Sequence, residues 1–509
     1  MDLTWLLLGL FLLLLLGLVI VKYSAFPVRH VLRDLGIETP AYSKLFGHFF
    51  LGVKYGVFDV QTQYYSQFKD KKMYGWIDFR TPVVVLRDLD LIKDVCVKHF
   101  SSFADRRIYL NFEPPFDESL LCLLGDHWKR VRSSVSPTFS SGRLKKMSRH
   151  VERKVQSLQR VLDQKQERNE EIELRDVMSR FTMDTIASTA FGLDIDTLGD
   201  PENAFCVHAK QFINPNMTLV LLGIFCPPLA RLLAKYGISF ISSKTMKFFE
   251  NAVDSALQVR KESGDAGKMH DFIDLMINAE KEQKEKGEEN KMHGGLTRNE
   301  ILGQALVFIL AGYDTVAIVL SFTLFLLAKH PEYQKQVQEE LDQKLSDLGP
   351  DDVVPTYDSV QGLNFLDQCI SEAMRMFPPG LLLDRVCTEE INLAGVKFSK
   401  GMPVIIPVYG IHMDPELWEE PQEFRPERFE PEAKESRHQF AYLPFGHGPR
   451  NCIGMRLGQL ELKIALAMVL RRFDVVPCEK TVYPVKLSKL QVMANDGLWV
   501  KLERRAVKS

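Results

Sequence analysis

Residues 445–454 of the chain read Phe445-Gly446-His447-Gly448-Pro449-Arg450-Asn451-Cys452-Ile453-Gly454, and an apolar, helix-forming run follows. Glycine has no Cβ, so such a loop lets the backbone approach a flat partner closely. The Cys452 sulfur stands where a helix begins, and Arg450 adds a cation two residues away. Both features favour thiolate over thiol. The pattern indicates an anionic sulfur bound to a metal, and the alternative is a buried structural cysteine.

Bulk composition argues against several classes of protein. The chain has 509 residues, and 64 Lys and Arg side chains nearly balance 66 Asp and Glu, so no overall field points to nucleic acid. The eight cysteines show no CxxC spacing, which argues against a disulfide framework and against a zinc site. They are Cys96, Cys122, Cys206, Cys226, Cys369, Cys387, Cys452 and Cys478. We therefore expect the protein body to stay in a reducing compartment.

The N-terminus carries the clearest targeting signal. Residues 5–21 are uninterrupted apolar sequence, long enough for one transmembrane helix. Lys22, Arg29 and Arg33 follow, and positive charges mark the cytosolic side of a membrane. Neither the basic leader nor the cleavage site of a signal peptide is present. We expect an uncleaved anchor, a linker and a cytosolic catalytic domain, over residues 1–24, 25–45 and 46–509.

The remaining pattern predicts a mainly α fold with smaller β-sheets, an α+β class. Helical patterns extend to about residue 191, and no internal repeat appears. Residues 75–80 and 82–86 predict a β-hairpin, because both runs are β-branched and apolar around a polar turn. Further strand patterns lie at residues 391–398, 402–408, 485–490 and 498–502.

Two apolar segments, 217–225 and 230–240, flank the sequence Cys226-Pro227-Pro228. Each is too short to cross a bilayer, and the prolines would break a joint helix. A hairpin that dips into the membrane interface and a segment buried in the core are both consistent with this pattern.

A long apolar helix is predicted after the capping-box sequence that starts at Thr297 and ends at Glu300. Its middle is apolar on nearly all sides, so it is either a membrane span or the central helix of a large domain. Asp314 in that middle favours the central helix. Ala311 and Thr315 share one face beside Asp314, which predicts a ligand notch and a proton relay.

Three further patterns are weak in isolation. Trp128 and Arg132 share a helix face, which suits a carboxylate ligand or an ordinary amphipathic helix. Glu372 and Arg375 form an i,i+3 pair, which is usually a surface ion pair worth under about 1 kcal/mol. The aromatic loop over residues 103–124 either lines a pocket or packs as a surface loop.

These motifs occur together along the chain, in the order that they have in one known family. In this respect the chain resembles a cytochrome P-450, a haem-thiolate monooxygenase. The family pattern F-x-x-G-x-R-x-C-x-G is matched at every fixed position, by Phe445, Gly448, Arg450, Cys452 and Gly454. The similarity spans the whole chain and is strongest toward the animal microsomal family 3 (subfamily 3A) at residues 103–107, 128–139 and 225–235. The resemblance implies a cytochrome P-450 fold with a long central helix over haem, plus one N-terminal transmembrane helix.

The resemblance implies a role for each motif. Cys452 is the thiolate ligand of the iron in haem b, and Phe445 and Gly454 lie beside the cofactor. Thr315 and Asp314 pass protons through water during oxygen activation. The haem propionates are held by Arg106, Trp128, Arg132, Arg385 and Arg450. A structural triad behind the haem is formed by Glu372, Arg375 and Arg428.

The resemblance also implies an apolar pocket for lipophilic substrates, which reach it from membrane lipid. Its lining residues are Phe112, Phe116, Leu120, Leu123, Phe308, Ala311, Leu381, Leu382, Leu383, Val492 and Met493. No nucleotide fingerprint is present, so we expect the electrons for O2 to come from another protein. The resemblance implies that this protein is NADPH-cytochrome P-450 reductase, with cytochrome b5 a second candidate. The docking face for the reductase is basic and includes Lys129, Arg130, Arg143, Lys145 and Lys146. The implied location is the endoplasmic reticulum membrane, crossed once, with the catalytic domain cytosolic.

Two other hypotheses compete with the monooxygenase. One is a haem-thiolate isomerase or dehydratase that acts on peroxides without a reductase, and the other is a non-catalytic membrane-anchored carrier of haem or lipid. The intact pair Asp314 and Thr315 argues against both. Two departures from the family pattern are Val316, where relatives often have a second hydroxyl, and a proline hinge reduced to Pro27 and Pro40.

Overall fold

One helix of 32 residues, Arg298–Lys329, forms the centre of the molecule. The computed structural model describes residues 17, 28–43, 46–78, 81–107, 112, 114–200, 202–213, 216–225, 229, 232–233, 236, 241–263, 272–274, 296–348 and 353–505. Apart from Gly17, the predicted membrane span over residues 5–21 lies outside the described residues, as do Pro27 and the Cys226-Pro227-Pro228 break.

The described part of the chain is mainly helical, as predicted. Helices α1 to α8 are Val28–Asp34, Phe49–Tyr55, Val57–Gln67, Leu89–Lys93, Gly125–Val135, Ser141–Glu167, Leu174–Phe191 and Ala204–Ile213. Helices α9 to α16 are Met217–Phe225, Ser243–Ser263, Arg298–Lys329, Pro331–Lys344, Asn364–Met376, Val408–His412, Pro431–Ser436 and Met455–Arg472. A π-helix, Asp94–Lys98, and short 3₁₀ turns such as Phe116–Glu118 connect some of them.

Small sheets pack at the edges of the helical body. Strands β1 to β9 are Met73–Asp78, Thr81–Leu86, Ile172–Glu173, Leu383–Val386, Ile391–Leu393, Val396–Phe398, Pro403–Ile406, Phe473–Val476 and Trp499–Arg504. The largest sheet has the order β1-β2-β7-β4, in which β2 and β7 are parallel and the other pairs antiparallel. The predicted hairpin is confirmed, because β1 pairs with β2 from Met73 opposite Leu86 to Asp78 opposite Thr81.

The central helix α11 begins at the predicted capping box. The Glu300 backbone N–H donates to Thr297 Oγ1 at 3.2 Å, and the Thr297 N–H donates to Glu300 Oε2 at 2.7 Å. Of the described helices, α11 alone is long and apolar enough to cross a membrane, and most of its apolar stretch is buried inside the protein. The prediction of a buried central helix is therefore confirmed.

Two strand predictions in the C-terminal half need correction. Residues 391–398 form the hairpin β5–β6 and not one strand, because Ala394 and Gly395 adopt positive φ angles of 49° and 79° and turn the chain. No strand forms at residues 485–490, where the backbone pairing is a single bridge between Leu487 and Ala494. Alternating apolar residues predict a strand only where a neighbouring strand is available to pair with them.

The Phe116–Glu118 turn is pressed against the start of α11. The Gln304 side chain donates from Nε2 to Glu118 O at 2.8 Å and accepts the Leu120 N–H at Oε1, also at 2.8 Å. Gly303 lies at the point of contact, where a Cβ atom would come within 2.7 Å of Pro115 O. The loop predicted to line the pocket is thereby fixed to the central helix.

Replacing Gly303 with alanine is expected to destabilise the protein. The added methyl group forces the turn and the helix apart, and we expect the free energy of unfolding to fall by about 1–3 kcal/mol. Gly142 in α6 is the matched control, because a Cβ atom there meets nothing within 4 Å. Helix propensity should leave Gly142→Ala unchanged or up to about 1 kcal/mol more stable. Thermal unfolding of both variants measures the difference, and equal midpoints would contradict the contact.

Candidate active site

The cysteine loop is closed by its own backbone before α16 begins. The Cys452 N–H donates to Phe445 O at 2.8 Å, and the Asn451 N–H donates to Gly448 O at 3.0 Å. Gly454 is the N-cap residue of α16, so Cys452 lies just ahead of the helix, as the sequence predicted. The sulfur is therefore carried on a short, internally bonded turn and not on an open loop.

Gly448 is required by a close backbone contact. It has a φ of +79°, and a Cβ atom there would lie 2.1 Å from the carbonyl oxygen of Cys96. Cys96 belongs to the π-helix Asp94–Lys98, a geometry that occurs often at functional sites. The fixed glycine of the motif thus serves the packing of the loop against an earlier segment.

Cys452 is exposed, yet burial raises the pKa of its thiol. A side chain that faces an internal space enclosed by protein is both accessible and surrounded by protein atoms, so exposure and a pKa raised by burial are compatible. The Gly454 N–H and the cations Arg132 and Arg106 act in the opposite direction and lower the pKa. Arg450, which the sequence predicted as the neighbouring cation, directs its side chain elsewhere.

Arg450 is buried and held by backbone carbonyl groups. Its Nε donates to Ala104 O at 2.7 Å and its Nη2 to Leu123 O at 2.9 Å. The guanidinium carbon lies 4.1 Å from the ring centroid of Trp128. Burial, followed by the charges of Arg106 and Arg385, lowers the pKa of Arg450 to about 9. Asp105 Oδ1 lies 3.7 Å from Arg450 Nη2 and offsets only part of the repulsion within this cluster of like charges.

The three clustered arginines retain hydrogen-bond donors without partners. Within the described ranges, buried donors with no partner remain at Nε of Arg106, at Nε and Nη2 of Arg385, and at Nη1 of Arg450. Burial also lowers the pKa of Arg385. Unpaired buried donors are costly, and a carboxylate pair satisfies several at once. The residues therefore fit the propionates of a haem.

Trp128 and Arg132 lie on the side of α5 that faces this cluster. Trp128 is buried beneath Arg450, and Arg132 Nη2 donates to Asn451 Oδ1 at 3.0 Å, next to the cysteine. Burial lowers the pKa of Arg132, whereas the charge of Cys452 raises it. Of the two interpretations of this helix face, the structure favours an internal site over a solvated basic face for these two residues.

The structure brings Glu372, Arg375 and Arg428 together. The pair formed by Glu372 and Arg375 is buried and is not the surface ion pair that such a spacing usually indicates. Glu372 and Arg375 have side chains 0% exposed, with Arg375 Nε 2.7 Å from Glu372 Oε2 and Arg375 Nη2 2.8 Å from Oε1. Arg428 Nε donates to Glu372 Oε1 at 3.2 Å. The remaining donors of Arg375 bond to the carbonyls of His412, Pro421 and Glu423. Removing one member would leave a buried charge unpaired.

His412 joins this ion network to the cysteine loop. Its Nε2 accepts the Leu443 N–H at 2.9 Å, and its Nδ1 lies 3.2 Å from Arg375 O. Burial, followed by the charge of Arg375, lowers the pKa of His412 to about 3, so the ring is neutral. Leu443 precedes Phe445 by two residues, so the loop is fixed to the network through this histidine.

On the central helix, Thr315 is exposed, whereas Asp314 before it is partly buried and Val316 after it is buried. Its hydroxyl donates to Ala311 O at 2.5 Å. Asp314 is paired with Arg175 from α7, and Arg175 Nη1 also lies 3.5 Å from Val492 O. Sequence reasoning missed Arg175, because nothing in its local pattern distinguishes it from a surface arginine.

Ala311 and Thr315, four residues apart, are open on an otherwise buried helix. An open stripe inside the protein fits a helix that borders a ligand space. The predicted notch is narrower than expected, because Gly312 packs against α7: a Cβ atom there would lie 2.7 Å from Ile186 Cδ1.

The predicted pocket residues are distributed over several core clusters. Phe116, Leu123, Phe308 and Val492 are buried, whereas Leu382 and Met493 are exposed. The rings of Phe112 and Phe116 lie 4.8 Å apart. Phe112, Phe116, Leu120, Leu123 and Phe308 share one cluster, Leu381 and Val492 belong to a second, and Leu383 packs with the sheet residues of a third.

Comparison with known proteins agrees with this geometry. The family model described as Cytochrome P450 matches residues 40–499. The chain is 38% identical to "Cytochrome P450 3A11" of Mus musculus over 426 residues, 82% of each protein. It is 36% identical to "Cytochrome P450 3A5" of Homo sapiens over 493 residues, which is 95% of this chain and 93% of the relative. The family match covers both the loop that carries Cys452 and the segments that bring the buried arginines together, and we conclude that the chain belongs to the cytochrome P450 family, as a monooxygenase that binds haem b through a cysteine thiolate.

Proposed function

We propose that this chain is a membrane-bound monooxygenase that hydroxylates or epoxidises lipophilic substrates such as xenobiotics, steroids or fatty acids. It uses O2 and two electrons from NADPH-cytochrome P-450 reductase, with cytochrome b5 as a second donor. The observation that carries the proposal is the set of unpaired buried donors on Arg106, Arg385 and Arg450 beside an enclosed cysteine. Bound haem supplies the activation of O2.

In this proposal Cys452 is the ligand of the haem iron, and the arginines orient the cofactor. The propionate carboxylates accept hydrogen bonds from Arg106, Arg385 and Arg450. Their negative charges offset the repulsion between these three guanidinium groups. Trp128 and Arg132 complete that side of the site, and Phe445 and Gly454 form the loop around the sulfur. The triad of Glu372, Arg375 and Arg428 takes no part in the reaction. Its members bond to one another and hold the cysteine loop in place.

Thr315 and Asp314 serve as the route for protons. The Thr315 hydroxyl can turn from Ala311 O toward water, since the residue is exposed to the internal space. Arg175 contacts Asp314 at Oδ1, and the Asp314 side chain is 30% exposed, so water can reach this carboxylate as the second member of the route. An apolar pocket formed by the residues that line the central helix and the early loop selects lipophilic substrates.

The membrane arrangement follows from the sequence. Residues 1–24 anchor the chain once in the endoplasmic reticulum membrane, residues 25–45 form the linker, and residues 46–509 are the cytosolic catalytic domain. Apolar substrates then enter from membrane lipid. The resemblance of the sequence to the animal microsomal group of the family supports this assignment. The proposed face that meets the reductase is formed by Lys129, Arg143, Lys145 and Lys146. Arg130, which the sequence placed with them, contacts the buried Glu300 instead.

The thiolate assignment is tested by the absorption spectrum of the reduced, CO-bound protein. We expect a strongly red-shifted Soret band for the wild type, because thiolate is a strongly electron-donating ligand, and its absence in Cys452→Ala. Cys478→Ala is the control, since Cys478 is a second free and partly accessible cysteine. A wild-type protein without the band, or a Cys452→Ala protein that keeps it, refutes the assignment.

Arg385→Gln tests whether the arginine cluster holds the cofactor. Loss of a charge-assisted hydrogen bond is expected to speed haem transfer to an excess of a haem-free acceptor by about ten-fold or more. Since two of its nitrogens have no partner in the described protein, the protein without haem should not become less stable. The exposed Arg160→Gln is the control. Unchanged haem loss together with a lower unfolding temperature would make Arg385 a purely structural residue.

Thr315→Ala tests the proton route. We expect reductase-supported substrate turnover to fall about ten- to a hundred-fold while NADPH consumption continues, because proton delivery limits productive use of O2. Thr323→Ala is a closely matched control: Thr323 lies on the same helix and makes the same type of bond, to Val319 O at 2.7 Å. If both variants lose turnover equally, the effect is one of helix packing and not of proton delivery.

A further inference from the structure

Three potential metal ligands meet away from the cysteine loop. Glu118 ends the 3₁₀ turn Phe116–Glu118, His127 lies in α5, and Glu300 lies in the first turn of the central helix. His127 Nε2 is 2.6 Å from Glu300 Oε1 and 3.5 Å from Glu118 Oε2. One ligand atom from each residue lies within 4.8 Å of the others.

The donor set matches the chemistry of zinc. Zinc takes imidazole nitrogen and carboxylate oxygen at about 2.0–2.2 Å, so tetrahedral ligand atoms lie about 3.3–3.6 Å apart. The separation of 3.5 Å between His127 and Glu118 lies in that range, and the separation of 2.6 Å between His127 and Glu300 is shorter. Small side-chain rotations would therefore form the site. One imidazole with two carboxylates favours zinc over calcium and magnesium, which prefer oxygen ligands alone.

A second observation concerns Glu118 itself. The Glu118 Oε2 atom is covered by protein and has no hydrogen bond to any residue that the structure describes. His127 Nε2 lies 3.5 Å away from it. A covered carboxylate oxygen without a donor is unfavourable. A cation between Glu118 and His127 would satisfy this oxygen directly.

Glu300 is prepared as a ligand by its other contacts. Its side chain is 2% exposed, and Arg130 and His127 both contact Oε1, while Oε2 accepts the Thr297 N–H. Partners of this kind orient a ligand and tune its affinity. The site remains reachable, since the side chains of Glu118 and His127 are 33% and 42% exposed.

We propose that Glu118, His127 and Glu300 bind one zinc ion, with water as a fourth ligand. The ion would join the early loop, α5 and the start of the central helix, where Gln304 already bonds to Glu118 O. This proposal is independent of the assignments at the cysteine loop, because none of its ligands belongs to that site.

The experiment uses tag-free, full-length, haem-loaded protein. After treatment with a chelator and addition of zinc chloride, zinc per chain is measured by elemental analysis, and affinity by competition with a chromogenic chelator. We expect one zinc per chain in the wild type, and at least about ten-fold weaker binding in Glu118→Gln and His127→Gln. Both substitutions keep size and hydrogen-bonding capacity and remove a good zinc ligand.

His438→Gln is the matched control, because His438 pairs with Asp90 at 3.4 Å without a third ligand in the described protein. It should bind zinc like the wild type. Zinc also should raise the unfolding temperature of the wild type and of His438→Gln, but not that of the other two variants. No zinc after chelator treatment and reloading, or equal binding by Glu118→Gln, His127→Gln and the wild type, would overturn the proposal.

Discussion

The arrangement of the site depends on one electrostatic constraint: the buried guanidinium groups of Arg385 and Arg450 lie beside the partly buried Arg106, with little negative charge among the three. Their nearest anion contact is between Arg450 Nη2 and Asp105 Oδ1, at 3.7 Å. Like charges in a medium of low dielectric constant repel strongly, so such a cluster favours the binding of an anionic group. The fold brings the arginines together from separate segments through backbone pairing, because Val386 N donates to Asp105 O at 2.8 Å, next to both Arg385 and Arg106. An anionic cofactor bound there would therefore stabilise the contact between these segments.

The two sides of the internal space differ in how they are supported. On the cysteine side, backbone bonds, the buried ion network and His412 leave the loop little freedom. On the side of the central helix, Thr315 bonds only within its own helix and Asp314 is held by the partly exposed Arg175. Rigid support suits the proposed metal ligand, whereas the proposed proton route requires groups that can change partners. The two sides of the internal space thus differ in support in the way that these two proposed roles require.

Local patterns explain what the sequence could predict. The capping box and the apolar run defined the central helix, and the motif around Cys452 identified its loop and the family, because each signal is contained in neighbouring residues. Contacts between distant segments could not be predicted: Cys96 O behind Gly448, Arg175 on Asp314, and His412 between Arg375 and Leu443 have no local signature. The cluster of Glu118, His127 and Glu300 is another contact between distant segments that no local pattern indicates. Cysteine spacing argued against a zinc site made of cysteines, but it carries no information about this cluster. The strand expected at residues 485–490 failed because pairing depends on a partner strand.

The neutral His412 gives the protein an acid-sensitive connection. An unfolded histidine takes up a proton near its ordinary pKa of 6.5, whereas folded His412 has its pKa lowered to about 3. The buried neutral ring therefore contributes its full stability above pH 6.5, and this contribution declines as the pH falls toward 3. Protonation would also place a donor on the nitrogen that accepts the Leu443 N–H. Acid below pH 6.5 thus lowers the stability of the folded protein, and protonation of the ring near pH 3 breaks the connection between the ion network and the cysteine loop. An acidic compartment would therefore destabilise this enzyme for a reason unrelated to its substrate.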